Sequence, residues 1–302
     1  MHELKHVLVV VNRSDDAKYV LEKAQLLSSA ARATAHVIRV IYDDIVASKI
    51  PQGEDAQRLK TFIMEAEETF LEELVDGFRV EFENIETATI WNKKDWEGVI
   101  DVARDLGIDL IIKAANVESR LQEVIHTPDD WNILRHATCP VMLVKAQAWV
   151  SEPAIIAAVN VLDDEHEALN RHILAYARDL TRILGGELHL VNAFPLFEPW
   201  IGELGAAYDY VSIKREVEAE VDRRVRSIAD EVEVDYRLLH IREGKAELVI
   251  RDLCEETNAE LVVMGTAARS GVRGIVIGNT SEALLHVVNT DVLTLHDTEE
   301  AA

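Results

Sequence analysis

The chain has 302 residues, enough for two domains of ordinary size, and its 48 % hydrophobic and 28 % charged residues are typical of a globular protein. A net charge of −24 argues against binding to nucleic acid, which needs a basic surface, and against attraction to anionic membranes. The N-terminus lacks the layout of a signal peptide and no apolar run is long enough to span a membrane, so we expect a cytoplasmic protein whose acidity serves solubility or, alternatively, forms an acidic docking face.

Short apolar runs alternate with helical patterns along the chain. In the first half, strands are predicted at 6–11, 35–42, 108–114 and 141–145, and helices at 16–33 and 96–106. In the second half, strands are predicted at 155–161, 186–194, 233–241, 259–265 and 291–295. Apolar strands separated by helices indicate a doubly wound parallel sheet that is covered on both faces. Cys139 and Cys254 lie in apolar contexts outside any CxxC pair, which predicts buried thiols rather than a metal site.

The two halves of the chain repeat one unit. HVLVVVNRSDD at 6–16 resembles AIIAAVNVLDD at 154–164, and residues 108–131 align without gaps with residues 259–282. We therefore predict two domains, 1–147 and 148–302, joined near residues 145–154. In such sheets a ligand binds beyond the carboxyl ends of the strands, and strands one and four flank that place.

The loop after the fourth strand of the second half reads GTAARSGVRGIVIGNT, residues 265–280. Gly265 and Gly278 would let the backbone approach phosphate oxygens or adopt a positive φ, and a helix beginning near Asn279 would present N–H groups to an anion. The polar side chains of the loop that could assist are Thr266, Arg269, Arg273 and Thr280. The alternative is a ligand-free turn in which Asn279 caps the helix and Glu282 completes a capping box.

This loop and the repeat around it resemble the universal stress protein family, whose hallmark is a glycine after strand four, a second glycine three residues on, then nine residues and a Gly-Ser or Gly-Thr pair. The two copies, and TPDDW in the first half, are similar to the tandem, E-type members. The resemblance implies two α/β domains of the flavodoxin-like or Rossmann-like kind, each with a five-stranded parallel sheet of order 3-2-1-4-5 and helices on both faces. It also implies a stress-response role and, in some members only, ATP binding.

The family's site residues are only partly matched. Gly265 and Gly278 fill two glycine positions, whereas Ala268 stands at the middle glycine. Asn279 replaces the Ser or Thr after the last glycine, and Asn160 stands where nucleotide-binding members have an acid. ATP or another nucleotide-containing ligand is therefore a candidate cofactor, with none certain.

The aligned stretch of the first half, AANVESRLQEVIHTPDDW, contains no glycine. Thr127 and Pro128 predict the start of a helix, which places Asp129 and Asp130 in its first turn. Two carboxylates then lie where an incoming phosphate would bind, and like charges repel. We predict that the first-half anion site is closed.

The connection after strand two of the second half, residues 193–211, is rich in aromatic side chains and almost free of lysine and arginine. It could cover the site and form an apolar pocket from Phe194, Phe197, Trp200, Tyr208 and Tyr210. The alternative is that these side chains pack the two halves, or two chains, together.

The sequence contains no GxSxG, HExxH or GxxxxGK[ST] motif, and its histidines are scattered. We therefore expect a protein, not an enzyme, that binds a small anionic, nucleotide-like or amphipathic ligand in its second half without turnover. The alternatives are a ligand-free interaction scaffold and, less favoured, a weak ATP-hydrolysing protein. The expected partners are a small-molecule ligand, with no nucleic acid and no membrane, a pseudo-dimer of the halves within the chain, and a possible homodimer.

Overall fold

The structure, a computed structural model, describes residues 4–47, 54–79, 82–115, 128–194, 210–266 and 278–296, and only the backbone of Tyr210 and Asn279. The chain divides into two compact units with their boundary between Trp149 and Val150. Among the residues described, no helix combines the length and the apolar character needed to cross a bilayer.

The first unit is built on a parallel sheet. Its strands are β1 (His6–Val10), β2 (Thr34–Ile41), β3 (Asn84–Trp91), β4 (Leu110–Ala114) and β5 (Val141–Val144). Its helices are α1 (Ala17–Ala31), α2 (Asp44–Ala47), α3 (Glu54–Asp76), α4 (Asp95–Asp105) and α5 (Pro128–His136). The strands pair in the order β3-β2-β1-β4-β5, so the carboxyl ends of β1 and β4 are neighbours.

The second unit repeats this plan. Its strands are β6 (Ala154–Ala158), β7 (Glu187–Phe194), β8 (Leu238–Glu243), β9 (Leu261–Gly265) and β10 (Asp291–Leu295). Its helices are α6 (Glu167–Leu184), which a 3₁₀ turn at Asp164–His166 precedes, α7 (Tyr210–Glu231), α8 (Ala246–Thr257) and α9 (Asn279–Val287). The order β8-β7-β6-β9-β10 places the ends of β6 and β9 side by side.

The apolar patterns explain why these segments form these elements. All five residues of β4 are buried, as a strand covered on both faces requires. Helix α6 buries a stripe at helical spacing that includes Leu169, Ile173, Ala177 and Leu180, and packs it against β6 and β9. The helix ends at Gly185, whose φ of 66° is the left-handed conformation that glycine adopts readily.

The predicted fold and strand order are confirmed in both units. The strand β3 was not among the strands predicted for the first half. Its residues alternate between exposed and half-buried over most of its length, because β3 is paired on one side only and lies at the end of the strand order. Its signal is therefore weaker than that of the buried central strands.

Candidate functional site

The candidate site of the second unit lies where β9 ends and α9 begins. The backbone N–H of Gly278 donates to the carbonyl of Thr266 at 3.3 Å, and the hydroxyl of Ser281 donates to the carbonyl of Gly265 at 2.8 Å. These bonds hold the two ends of the loop together. The side chain of Thr280 is exposed beside them. Ala268 and Arg269 belong to the stretch 267–277, which lies outside the described residues.

The two glycines do not have positive φ angles. Gly278 has φ −61° and ψ 144° and occupies the N-cap position of α9. The predicted cap at Asn279 is therefore wrong by one residue, because Asn279 is already the first helical residue and Gly278 has no side chain with which to cap.

Gly265 packs closely against the side chain of Leu169. A Cβ atom added there would overlap Cδ2 of Leu169 and lie 3.0 Å from its Cγ, and Leu169 is a buried residue in the first turn of α6. Carbon atoms normally pack at about 3.5–4.0 Å, so a side chain at position 265 would displace Leu169. The glycine thus has a structural reason that does not involve a ligand.

Thr266 is engaged within the protein. It is 4 % exposed, and its hydroxyl lies 2.8 Å from Nδ1 of His296 and 3.3 Å from the carbonyl oxygen of Leu295. Burial lowers the pKa of His296 to about 4, and its Nε2 finds no hydrogen-bond partner among the described residues. The sequence gives no signal for this contact, since 30 positions separate His296 from Thr266.

Asn160, which follows the end of β6, is held by its backbone. Its N–H donates to Oδ1 of Asn170 at 3.0 Å, and its carbonyl accepts from Nδ2 of Asn170 at 2.7 Å. Its own Oδ1 accepts from the N–H of Leu162 at 3.3 Å. Asn170 is 2 % exposed, so α6 fixes the strand end, while the Asn160 side chain remains exposed.

A cavity of about 190 Å³ lies beside this strand end. Asp163, Asp164, Glu167 and Arg224 line it, and Arg224 donates to the carbonyl of Val161 at 2.9 Å and to Asp164 at 2.7 Å. The cavity is therefore charged, and it is smaller than the roughly 300–1,000 Å³ that ligand pockets usually occupy.

The predicted apolar pocket rests mostly on residues outside the described part of the chain, namely Phe197, Trp200 and Tyr208. Phe194 ends β7 and is fully buried, which places its side chain in the core of the unit. Tyr210 is the first residue of α7.

The corresponding place in the first unit holds a buried ion pair. Nζ of Lys113 in β4 lies 2.6 Å from Oδ1 of Asp130 in α5, and their side chains are 5 % and 0 % exposed. Helix α5 begins at Pro128, as predicted, so Asp130 lies in its first turn. The residues aligned with Lys113 and Asp130 in the second unit are Met264 and Ser281.

This pair changes the reason for the expected closure. The sequence predicts closure by repulsion from Asp129 and Asp130, whereas in the structure Lys113 neutralises Asp130, whose buried side chain lies at this place. Asp129 still acts electrostatically on its surroundings. Burial is the largest cause that raises the pKa of Asp95, and the charge of Asp129 raises it further.

Comparison with known proteins identifies the chain. The model of the universal stress protein family matches residues 3–145 and 157–296. Universal stress protein E of Photorhabdus laumondii is 25 % identical over 98 % of this chain and 96 % of its own length, and that of Escherichia coli K12 is 25 % identical over 96 % and 93 %.

Solved structures agree with the sequence matches. A crystal structure of a candidate universal stress protein from Pseudomonas aeruginosa is 27 % identical with a TM-score of 0.76, covering 98 % of this chain and 94 % of that one. One from Archaeoglobus fulgidus, 18 % identical with a TM-score of 0.68 over 98 % and 99 %, shares the fold. The predicted resemblance to tandem, E-type members is confirmed, and the chain belongs to the universal stress protein family.

Proposed function

We propose that this universal stress protein acts in stress response by binding a small anionic or nucleotide-like ligand at the N-terminus of α9 and that it does not convert the ligand chemically. The observation that carries the proposal is the difference between the two units. The first unit fills the start of its last helix with Asp130, whereas the second unit has Ser281 at the aligned position. The N-terminus of α9 therefore has one carboxylate, Glu282, in its first turn, where α5 has two, Asp129 and Asp130.

The chemistry at the end of β6 supports binding without turnover. Hydrolysis of a nucleotide needs a metal ligand or a base that positions water. Asn160 offers a neutral amide there, and its oxygen already accepts a hydrogen bond from the N–H of Leu162.

A second function, a ligand-free interaction scaffold, is favoured by two observations. Gly265 is explained by the packing of Leu169, and the hydroxyl of Thr266 is occupied by His296. Two of the candidate site residues thus have structural roles that need no ligand.

Native mass spectrometry of freshly purified protein, followed by calorimetric titration with ATP as the probe, separates the two functions. Gly278→Asp adds a carboxylate at the N-cap of α9 and should abolish binding by repulsion. Thr127→Asp, which adds the same charge at the aligned position of the first half, is the matched control. Loss of the bound mass or of ATP binding in the first variant alone supports the proposal. Absence of any bound mass together with absence of ATP binding favours the scaffold.

A further inference from the structure

A second charged cluster lies in the first unit, between α3 and the carboxyl ends of β2 and β3. Oε2 of Glu67 in α3 lies 3.2 Å from Nε of Arg13 and 2.8 Å from Nε of Arg39. Both guanidinium groups also lie near the ring of Phe70, at 4.3 Å and 5.6 Å from its centroid. We call Arg13, Arg39 and Glu67 the arginine triad.

The triad holds two cations and one carboxylate in a partly dry place. The side chains of Arg39 and Glu67 are only 16 % and 15 % exposed, while that of Arg13 is 50 % exposed and keeps one side open to solvent. Burial, as the largest cause, lowers the pKa of Arg39 even though Glu67 opposes it. The charge of Asp95 also raises the pKa of Arg39, but the two side chains form no ion pair within the described residues. The triad therefore carries one positive charge beyond what Glu67 neutralises.

Two buried polar groups beside the triad lack hydrogen-bond partners among the described residues. Nη1 of Arg39 and Oγ1 of Thr89 are shielded from solvent and make no hydrogen bond within the part of the chain that the structure describes. Nε of Arg39 is close to Glu67 but is not aligned as a hydrogen bond. Arg39 and Thr89 are direct register partners on β2 and β3, so the two groups are neighbours on one face of the sheet. A buried polar group without a partner costs about 1–3 kcal/mol.

The second unit shows that the fold does not require this arrangement. Asn192 occupies in β7 the position that Arg39 occupies in β2, and its cross-strand partner on β8 is Ile241. The residue aligned with Arg13 is Val161. Neither arginine is repeated there, although Arg224 of α7 donates to the carbonyl of Val161. Among the described residues, a strand arginine paired with Arg13 and Glu67 is therefore a feature of the first unit.

We propose that the first unit binds a small oxyanion, a carboxylate or a phosphate-like group, between α3 and the ends of β2 and β3. Nη1 of Arg39 and the hydroxyl of Thr89 donate to the anion, and the guanidinium group of Arg13 lies on the solvent-exposed side of the site. Guanidinium groups suit such ligands because their N–H groups match carboxylate and phosphate oxygens. The anion satisfies both orphaned groups and neutralises the surplus charge of the triad. This place is separate from the start of α5, which Asp130 fills.

Calorimetric titration of the full chain tests the proposal, with sodium phosphate and sodium acetate as probes in sodium chloride of matched ionic strength. Arg39→Met keeps the buried stem and removes the charge, and Thr89→Val removes the hydroxyl at nearly constant shape. Each should weaken binding at least about tenfold, the loss expected for a charge-assisted hydrogen bond. Arg58→Gln is the matched control. Arg58 lies on α3, the helix that carries Glu67, and its side chain is 78 % exposed. The probe that binds more tightly assigns the class of anion.

Several outcomes overturn the proposal. One is the absence of saturable binding of either probe, and another is equal binding by the wild type and both variants. Binding that survives in Arg39→Met and disappears in Gly278→Asp belongs to the N-terminus of α9, which leaves the proposed function intact and refutes this site. If Arg39→Met does not fold, as circular dichroism would show, Thr89→Val alone decides the result.

Discussion

Lys113 is the residue that most clearly distinguishes the start of α5 in the first unit from the start of α9 in the second. Lys113 stands in the run IDLIIKA, where the sequence indicates only the end of a strand, and its partner Asp130 is 17 positions away. Such a pair becomes visible only when the fold brings β4 and α5 together. The same holds for Thr266 and His296. The glycines and polar residues of the loop could be recognised from the sequence, but their present partners could not.

The ion pair between Lys113 and Asp130 leads to a stability prediction. Asp130→Ala leaves a buried ammonium group without its carboxylate and should lower the free energy of unfolding by about 3–5 kcal/mol. The double variant Lys113→Met, Asp130→Ser, which carries the residues of the second unit, should lose much less. Urea unfolding followed by tryptophan fluorescence measures this, since Trp91, Trp96, Trp131 and Trp149 lie in the first half.

The double variant also serves as the control for that experiment. It removes both charges together and leaves no buried ion unpaired, so a loss equal to that of Asp130→Ala would contradict the argument. Such a result would mean that the site needs the volume of the two side chains rather than their mutual attraction.

At the scale of elements, the central strands could be predicted because burial on both faces leaves a continuous apolar run. The helices α1 and α4 could be predicted from their helical spacing. The edge strands were harder to predict, since a strand paired on one side needs no such run: β3 was not predicted, and β8 was predicted at 233–241 but lies at Leu238–Glu243. Strand contacts also join polar residues that are far apart in sequence. Nδ1 of His6 on β1 lies 3.1 Å from Nε2 of His36 on β2, and Nδ1 of His36 lies 3.1 Å from Glu86 on β3. In the second unit, His189 and His240 make a similar contact at 3.1 Å.

These histidines predict a pH dependence of stability. Burial lowers the pKa values of His36, His189 and His240 below 6.5, and lowers that of His296 to about 4. In the unfolded chain each titrates near its ordinary value, so unfolding takes up protons below about pH 6.5. The free energy of unfolding therefore has its full value above about pH 6.5 and decreases as the pH falls towards about 4.

Urea unfolding at a series of pH values between about 7 and about 4 tests this expectation. The double variant His36→Gln, His189→Gln should show a smaller loss of stability over that range than the wild type. His136→Gln, which removes an exposed histidine, should behave like the wild type. A pH profile that is the same in all three proteins would refute a contribution from the strand histidines.

At the scale of the whole molecule, the repeat and the charge are both visible in the sequence, and they act differently. The repeat sets the fold of each unit, whereas the net charge of −24 affects the compactness of the entire chain through repulsion. The structure shows many surface ion pairs, such as Lys94–Glu97 and Arg242–Glu256. Exposed pairs of this kind contribute only about 0–1 kcal/mol each, so they do not cancel the effect of the surplus acids.

Salt should therefore stabilise the protein. Raising sodium chloride from about 0.02 M to about 0.5 M shortens the screening length several-fold, which weakens the repulsion between the surplus acids more than it weakens the individually weak surface pairs. The melting temperature in a thermal unfolding scan should rise and then level off. Glu68 and Glu72 are exposed acids one turn apart on α3, and Glu68→Gln, Glu72→Gln should raise the melting temperature at low salt and reduce the gain from added salt. A melting temperature that falls as salt is added would show instead that surface ion pairs outweigh the repulsion between the acids.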